Sequence, residues 1–264
     1  MSIKWSNRWT LKEVDTLKNY VRAKQGLDEI IPALPHRSRS AIRHKIERLD
    51  LFPEHLTTPK ILFLDIETAG VNGLRSDLGF VILVGYKWSY EKDAKVIQIS
   101  AKDLLEFNDK NILKIASKVW LDADVIVTHY GSVFDRRFIQ GRLLIHDLPP
   151  IPPTKMRDTC MIMRSVANYS SNRLKHLAKI LGFKNQKLEN SWPQAWLKVM
   201  AGDIRALNDL AVYCIGDVLA LEELYYKLRP FDNSHPRIVD DRTKCSVCAG
   251  DIHYRGTVPV GVKR

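Results

Sequence analysis

Residues 60–68 (Lys-Ile-Leu-Phe-Leu-Asp-Ile-Glu-Thr) join an uninterrupted apolar run to two carboxylates. A continuous apolar run of this length is typical of a central β-strand that is covered on both faces. Because side chains alternate along a strand, Asp65 and Glu67 share one face and Ile66 points to the other. Two acids on one face of a core strand repel each other unless a cation neutralises them, and a divalent metal prefers such oxygen ligands. The alternative is a strand that ends in a solvated acidic turn.

The size and charge of the chain limit the kind of protein it can be. A length of 264 residues corresponds to about two domains. The formal net charge of +11 predicts a polyanionic partner, with DNA first and RNA also possible. The alternative is a basic enzyme without such a partner.

No apolar run approaches the roughly 20 residues of a membrane span, and the N-terminus lacks a signal-peptide pattern. We therefore expect no membrane contact and a cytoplasmic, nucleoid-associated location, or the host cytoplasm for a viral protein.

Residues 1–52 form a small basic module in which we predict three helices. Thr10 and Glu13 have the spacing of a capping box at the start of the first helix, and Ser38 has the position of an N-cap for the third. The third helix carries four basic side chains on one face: Arg39, Arg43, His44 and Arg48. A helix pair followed by a basic helix is typical of a helix-turn-helix, whose last helix enters the major groove of DNA. A protein-binding module with a solvated basic face is the alternative.

This module resembles the Myb/SANT-like helix-turn-helix proteins. The resemblance is carried by Trp5, Trp9 and residues 34–42 (Leu-Pro-His-Arg-Ser-Arg-Ser-Ala-Ile), and it covers about the first fifty residues. It implies that the four basic side chains of the third helix contact DNA. Residues 53–59 then lose periodicity and contain two prolines, which predicts a linker.

Residues 60–230 predict an α/β domain in which helices flank a mixed sheet. After the first strand, residues 79–86 and 95–100 have the pattern of two more strands in an antiparallel meander, and residues 125–128 form another apolar strand. Helical patterns cover residues 111–121, 159–166, 172–181 and 203–228.

Two further acidic positions follow from these elements. Asp135 comes after the strand at 125–128 and a Gly-containing loop, a place where catalytic residues are often found. Alternatively, Asp135 only caps the helix that begins at Arg136. Tyr213 and Asp217 are four residues apart on the last helix, so their side chains lie one turn apart on one face. Such a pair also occurs by chance, so neither feature decides function alone.

Three motifs together resemble the DEDD exonuclease superfamily on the RNase H-like fold. They are residues 64–68 (Leu-Asp-Ile-Glu-Thr), residues 134–135 (Phe-Asp) and residues 213–218 (Tyr-Cys-Ile-Gly-Asp-Val). The sequences of these motifs are most similar to those of the proofreading domains of family B DNA polymerases and of related stand-alone exonucleases. The last motif resembles that of the tyrosine subtype. The likeness spans roughly residues 60–230.

This resemblance implies a metal-dependent 3′–5′ exonuclease. The implied catalytic residues are Asp65, Glu67, Asp135, Tyr213 and Asp217. The four carboxylates would hold two Mg²⁺ or Mn²⁺ ions, and the tyrosine would orient the attacking water. Thr68, Arg136 and Arg137 lie near the motifs and are candidates for nucleic-acid contact, although each arginine could also be an ordinary surface charge.

One position departs from the family pattern. Members commonly carry an Asn four or five residues before the acid of the second motif, where this chain has Gly131 and Tyr130. The change does not remove a metal ligand, but it puts in doubt how the terminal nucleotide is positioned and which substrate is chosen.

Residues 231–264 form a polar tail with Cys245, Cys248 and His253. Cys-x-x-Cys followed by Gly is half of a zinc ribbon, and a structural zinc site needs four ligands. Either the native protein continues, or a Zn²⁺ is completed across chains, or the thiols are free.

The leading hypothesis is a stand-alone nuclease that acts on DNA, with single-stranded DNA as the expected substrate. It would carry an N-terminal DNA-binding module and have replication or repair proteins as candidate partners. The first alternative is a non-catalytic nucleic-acid-binding or scaffold protein on the same fold. The second is a proofreading subunit or fragment of a polymerase.

Overall fold

The computed structural model describes residues 9–23, 25–49, 51, 60–184 and 192–235. The expected linker at 53–59 and the candidate zinc ligands Cys245, Cys248 and His253 lie outside these residues. The described chain forms an N-terminal helical unit and an α/β domain.

The N-terminal unit contains the three predicted helices. They are α1 (Leu11–Arg22), α2 (Leu27–Ala33) and α3 (Arg39–Arg48). The capping box is present, since Thr10 Oγ1 accepts from the Glu13 N–H at 3.2 Å and the Glu13 carboxylate accepts from the Thr10 N–H at 2.8 Å. Ser38 caps α3 by accepting from the Ala41 N–H at 3.1 Å. A small apolar core made of Leu17, Leu27, Ile30, Leu34, Ile42 and Ile46 joins the three helices.

The α/β domain begins at residue 61 and alternates strands with helices. Its elements are β1 (Ile61–Gly70), β2 (Gly79–Trp88), β3 (Lys95–Gln98), α4 (Ala101–Leu105), α5 (Lys110–Leu121), β4 (Val125–Thr128), α6 (Asp135–Ile145), β5 (Lys155–Asp158), α7 (Thr159–Val166), α8 (Leu174–Ile180), α9 (Trp192–Met200) and α10 (Ile204–Leu228). None of the helices in the described ranges is long and apolar enough to cross a membrane.

The five strands form one mixed sheet in the order β3-β2-β1-β4-β5. The first three strands are the predicted antiparallel meander, while β4 pairs in parallel with both β1 and β5. The predicted fold class, an α/β domain with an RNase H-like mixed sheet flanked by helices, is therefore confirmed. The strand β1 is central and pairs on both edges, as its apolar run predicts.

The two faces of β1 pack into different apolar clusters. Leu62 and Leu64 point into a core with α5 and α6, whereas Ile61 and Phe63 point into a core with α7, α8 and the second half of α10. The Phe63 ring meets the Tyr225 ring of α10 edge to face at 5.4 Å between centroids. Because side chains alternate, the carboxylates that follow Phe63 on its face point toward the middle of α10.

The helix α10 lies close to the sheet at Gly85 of β2. A Cβ atom at residue 85 would lie 2.5 Å from Cys214 Sγ and 3.0 Å from Val218 Cγ2. No side chain larger than hydrogen fits in that space, so the glycine lets α10 settle onto the sheet beside β1.

The N-terminal unit is joined to the α/β domain through Asp124, which precedes β4. Its carboxylate lies 3.2 Å from the Nε atoms of both Arg39 and Arg43 and accepts from the Lys60 N–H at 2.8 Å. Arg39, Arg43 and Asp124 are 0%, 2% and 1% exposed. The expectation that Arg39 and Arg43 contact DNA is thus wrong for this structure, because both guanidinium groups are buried against an acid of the same chain. His44 and Arg48 remain exposed.

Removing the Asp124 carboxylate should destabilise the whole protein. Breaking a buried ion pair leaves an uncompensated buried charge, which costs about 3–5 kcal/mol. We therefore expect Asp124→Ala to lower the free energy of unfolding by that amount, as measured by urea denaturation.

Asp122 provides the matched control for this substitution. It is a more exposed acid that pairs with Lys60 at 3.0 Å, and an exposed pair contributes about 0–1 kcal/mol. Equal losses in Asp124→Ala and Asp122→Ala would show that Asp124 does not hold the two units together.

Candidate active site

A cavity of about 430 Å³ lies where the second half of β1, the end of β4 and the middle of α10 meet. All five residues implied as catalytic line it: Asp65, Glu67, Asp135, Tyr213 and Asp217. The structure therefore brings together side chains that are up to 152 positions apart in sequence (217 − 65 = 152).

Three elements position these side chains. Asp65 and Glu67 come from β1 and are partly exposed, while Asp135 is the first residue of α6 and is 4% exposed. Tyr213 and Asp217 are both buried and lie one turn apart on α10, as their spacing predicts.

The Asp135 carboxyl sits in the least solvated part of the cavity. Its Oδ1 accepts from the Ile66 N–H of β1 at 3.2 Å, which ties α6 to the central strand. Burial raises the pKa of Asp135 to about 7, and the nearby Asp158 charge adds to the rise although hydrogen bonds from the Ile66 and Asp135 N–H groups oppose it. A buried carboxyl of this kind is expensive to ionise unless a cation compensates it.

The remaining donors also favour a hard cation. Ligand atoms of Asp65, Glu67 and Cys214 lie within 4.8 Å of one another, and Asp135 and Asp217 line the same cavity outside that group. Burial raises the pKa of the Cys214 thiol well above its usual range, with the neighbouring carboxylates adding to the rise. A thiol kept protonated is a poor ligand, so the oxygen donors suit Mg²⁺ or Mn²⁺ better than a soft metal.

A second cavity of about 610 Å³ adjoins the first and is lined in part by basic side chains. Its lining includes Asp65 and Asp217, which it shares with the acidic cavity. Three basic side chains also line it: Arg164, Arg173 and Lys175. The arrangement places positive charge beside a carboxylate cluster, as a site for a phosphodiester chain requires.

The other candidates for nucleic-acid contact lie elsewhere. Thr68 is 8% exposed and its hydroxyl donates to the Gly73 carbonyl, so this side chain is turned away from the cavity. Arg136 and Arg137 are exposed on the first turn of α6, directly after Asp135, but they line neither cavity.

The loop between β4 and α6 is held in place by Asp158, the last residue of β5. The Asp158 carboxylate accepts from the Tyr130 N–H at 2.8 Å and from the Ser132 N–H at 3.0 Å. The same carboxylate caps α7, since it also accepts from the Cys160 N–H at 3.0 Å. Asp158 therefore positions the loop that leads to Asp135.

Two other residues of the site had no clear signal in the sequence. His129 lines both cavities, with Nε2 2.8 Å from the Asn172 carbonyl oxygen and Nδ1 2.9 Å from Thr159 Oγ1. Trp196 of α9 lines the acidic cavity. The only sequence signal for Asp158 was its place before a helix, where Asp is a common N-cap.

The structure shows the surroundings of Gly131 and Tyr130, which stand where the family commonly has an Asn. A Cβ atom at residue 131 would lie 2.9 Å from Asp135 Oδ2 and 2.5 Å from Thr128 Cβ, so Gly131 is the residue that lets the loop pass behind the acid. Tyr130 adopts a left-handed backbone with φ of 67°, which a bulky side chain rarely does.

Comparison with known proteins gives a family and a fold. A family model described as the RNase H superfamily matches residues 62–229. No curated protein matches the sequence. Among solved structures, the family B DNA polymerase from the hyperthermophilic archaeon Pyrobaculum calidifontis is similar, with a TM-score of 0.50 and 16% identity over 66% of this chain. The match covers 25% of the polymerase chain, so it shows a shared fold for one part of that enzyme.

The raised pKa of Asp135 predicts how stability changes with pH. Well below pH 3.8 the carboxyl is protonated in both the folded and the unfolded chain, so it makes no difference to stability there. Between pH 4 and 7 only the unfolded chain releases the proton, and the folded state loses stability as the pH rises. The shift from 3.8 to about 7 corresponds to at most about 4 kcal/mol.

We therefore expect Asp135→Asn to stabilise the metal-free protein at pH 8 by up to that amount and to leave stability at pH 4 nearly unchanged. Chemical denaturation in EDTA at the two pH values measures the difference. If Asp135→Asn gained no stability over wild type between pH 4 and pH 8, the raised pKa of the buried Asp135 would be contradicted.

Proposed function

The chain belongs to the RNase H superfamily, and on that premise we propose that it is a metal-dependent 3′–5′ exonuclease acting on single-stranded DNA. The observation that carries this proposal is the acidic cavity, where four carboxylates and Tyr213 from three separate elements converge.

The donor set of this cavity fits divalent cations that prefer oxygen. Asp65, Glu67, Asp135 and Asp217 would hold two Mg²⁺ or Mn²⁺ ions. When bound, such ions supply an activated water and stabilise the charge on the leaving 3′ oxygen. The buried Asp135 gains most from them, because a nearby cation offsets the cost of ionising it.

The residues of the chain then orient and bind the substrate. Tyr213 lines the cavity one turn from Asp217, where a phenol can orient the attacking water by a hydrogen bond. Arg164, Arg173 and Lys175 of the adjoining basic cavity are placed to contact phosphates upstream of the reacting bond. His129 and Asp158 position the loop that carries Asp135 into the site.

The preference for DNA over RNA comes from the N-terminal unit and not from the acidic cavity. A groove-reading third helix would favour B-form DNA, but two of its four basic residues are buried against Asp124. RNA is therefore included as a substrate in the test.

A digestion series tests the proposal. The substrates are DNA and RNA, single- and double-stranded, labelled at either the 3′ or the 5′ end, with Mg²⁺, Mn²⁺ or EDTA. We expect mononucleotides to be released from the 3′ end of single-stranded DNA only when metal is present. Asp65→Ala and Asp217→Ala should each lower the rate by more than about 100-fold, because changes in the outer shell of a metal site alone cost 10–100-fold.

Asp209→Ala is the matched control, since Asp209 is an exposed acid on the same helix two turns before Asp217. Its rate should equal that of wild type. Undiminished digestion by Asp65→Ala would overturn the proposal. Binding of DNA without digestion by wild type under any metal would favour a non-catalytic nucleic-acid-binding protein.

A further inference from the structure

Tyr130, one of the two residues that stand where family members commonly carry an Asn, has an unusual environment. Tyr130 is an aromatic residue in the left-handed region, with φ of 67°, and its side chain is 40% exposed. A bulky residue in this conformation costs about 1 kcal/mol or more and persists only where the surroundings impose it. The surroundings of Tyr130 therefore impose this backbone conformation.

The backbone around Tyr130 is fixed on both sides. Its N–H donates to Asp158 at 2.8 Å, and its carbonyl accepts from the Val133 and Phe134 N–H groups at 3.1 Å and 3.0 Å. The ring is therefore presented from a rigid loop, and it loses little conformational freedom when a ligand binds.

The Tyr130 ring stands at the junction of the two cavities. It lines the acidic cavity and also the basic one, which share Asp65, His129 and Asp217. The Arg164 guanidinium carbon lies 5.4 Å from the ring centroid, within the range of a cation–π contact. A strand whose phosphates lie along the basic cavity and whose end reaches the carboxylates must pass this ring.

We infer that Tyr130 is a stacking platform for one nucleobase of the substrate and that Arg164 braces its ring. The inference rests on the proposed nuclease function and adds a specificity-determining position to it. Every base has a π face, so a platform of this kind recognises that a base is present and not which base it is. It also favours single strands, because a base held in a duplex must first be unstacked.

Stacking of one base on an aromatic side chain corresponds to about a 5- to 150-fold change in affinity. We therefore expect Tyr130→Ala to raise KM for single-stranded DNA by a factor in that range, with kcat changed by less than about threefold. Tyr130→Phe, which keeps the ring, should behave as wild type.

The deciding experiment uses oligonucleotides that each carry one abasic residue, at the first, second, third or fourth position from the 3′ end. Wild type and Tyr130→Phe should lose kcat/KM at one of these positions, the one whose base contacts the ring. That position-specific loss should disappear in Tyr130→Ala. An unchanged abasic profile in Tyr130→Ala would overturn the inference.

Two further variants separate stacking from backbone strain. Tyr130→Gly removes the strain at positive φ, and Asn tolerates this backbone better than Tyr does, so Tyr130→Gly and Tyr130→Asn should both fold at least as well as wild type and still lose the position-specific effect. Wild-type kinetics in either would overturn the inference, because the position would then need only a residue that tolerates the left-handed backbone.

Phe107→Ala is the control for losing an aromatic residue at positive φ. Phe107 has φ of 51°, is 53% exposed and lines neither cavity, so its variant should keep the wild-type abasic profile. A wild-type protein that digests no substrate would refute the nuclease function itself. Digestion with an intact abasic profile in Tyr130→Ala would refute only the stacking platform.

Discussion

The main constraint on this structure is that the central strand of a buried sheet carries two carboxylates. β1 pairs on both edges and is covered on both faces, yet Asp65 and Glu67 follow Phe63 on the face that α10 covers. The acids are tolerated because they face a cavity that Tyr213 and Asp217 of α10 also line. Gly85, which lets α10 lie close to the sheet, and Gly131, which gives Asp135 room, both serve that arrangement.

A buried carboxylate also joins the N-terminal unit to the α/β domain. Asp124 gathers Arg39, Arg43 and the Lys60 N–H at the start of β4, the end of that strand away from the carboxylate cluster. The basic helix α3 is thus directed in part toward its own chain. The unit is joined to the α/β domain by buried ion pairs, and of the four basic residues predicted to contact DNA only His44 and Arg48 are exposed.

Local patterns predicted the parts of the structure that depend on nearby residues. The apolar run of β1 and the i, i+4 pair on α10 placed their carboxylates correctly on one cavity, because the periods of strands and helices fix which side chains share a face. The short polar strand β5 was missed, since its pairing with β4 has no apolar signal. The burial of Arg39 depends on Asp124, 85 positions away, and no local pattern reports such a partner. The strain at Tyr130 was equally invisible, because it depends on Asp158 at the end of that missed strand.

We propose that the acidic cavity holds divalent cations through its four carboxylates. Calorimetric titration of the metal-free protein with Mn²⁺, using wild type, Asp217→Asn and Asp209→Asn, measures this binding. We expect saturable binding in wild type and Asp209→Asn, and at least about tenfold weaker binding in Asp217→Asn, which loses a charged ligand. Equal Mn²⁺ affinity in all three proteins would mean that the four carboxylates do not hold the metal.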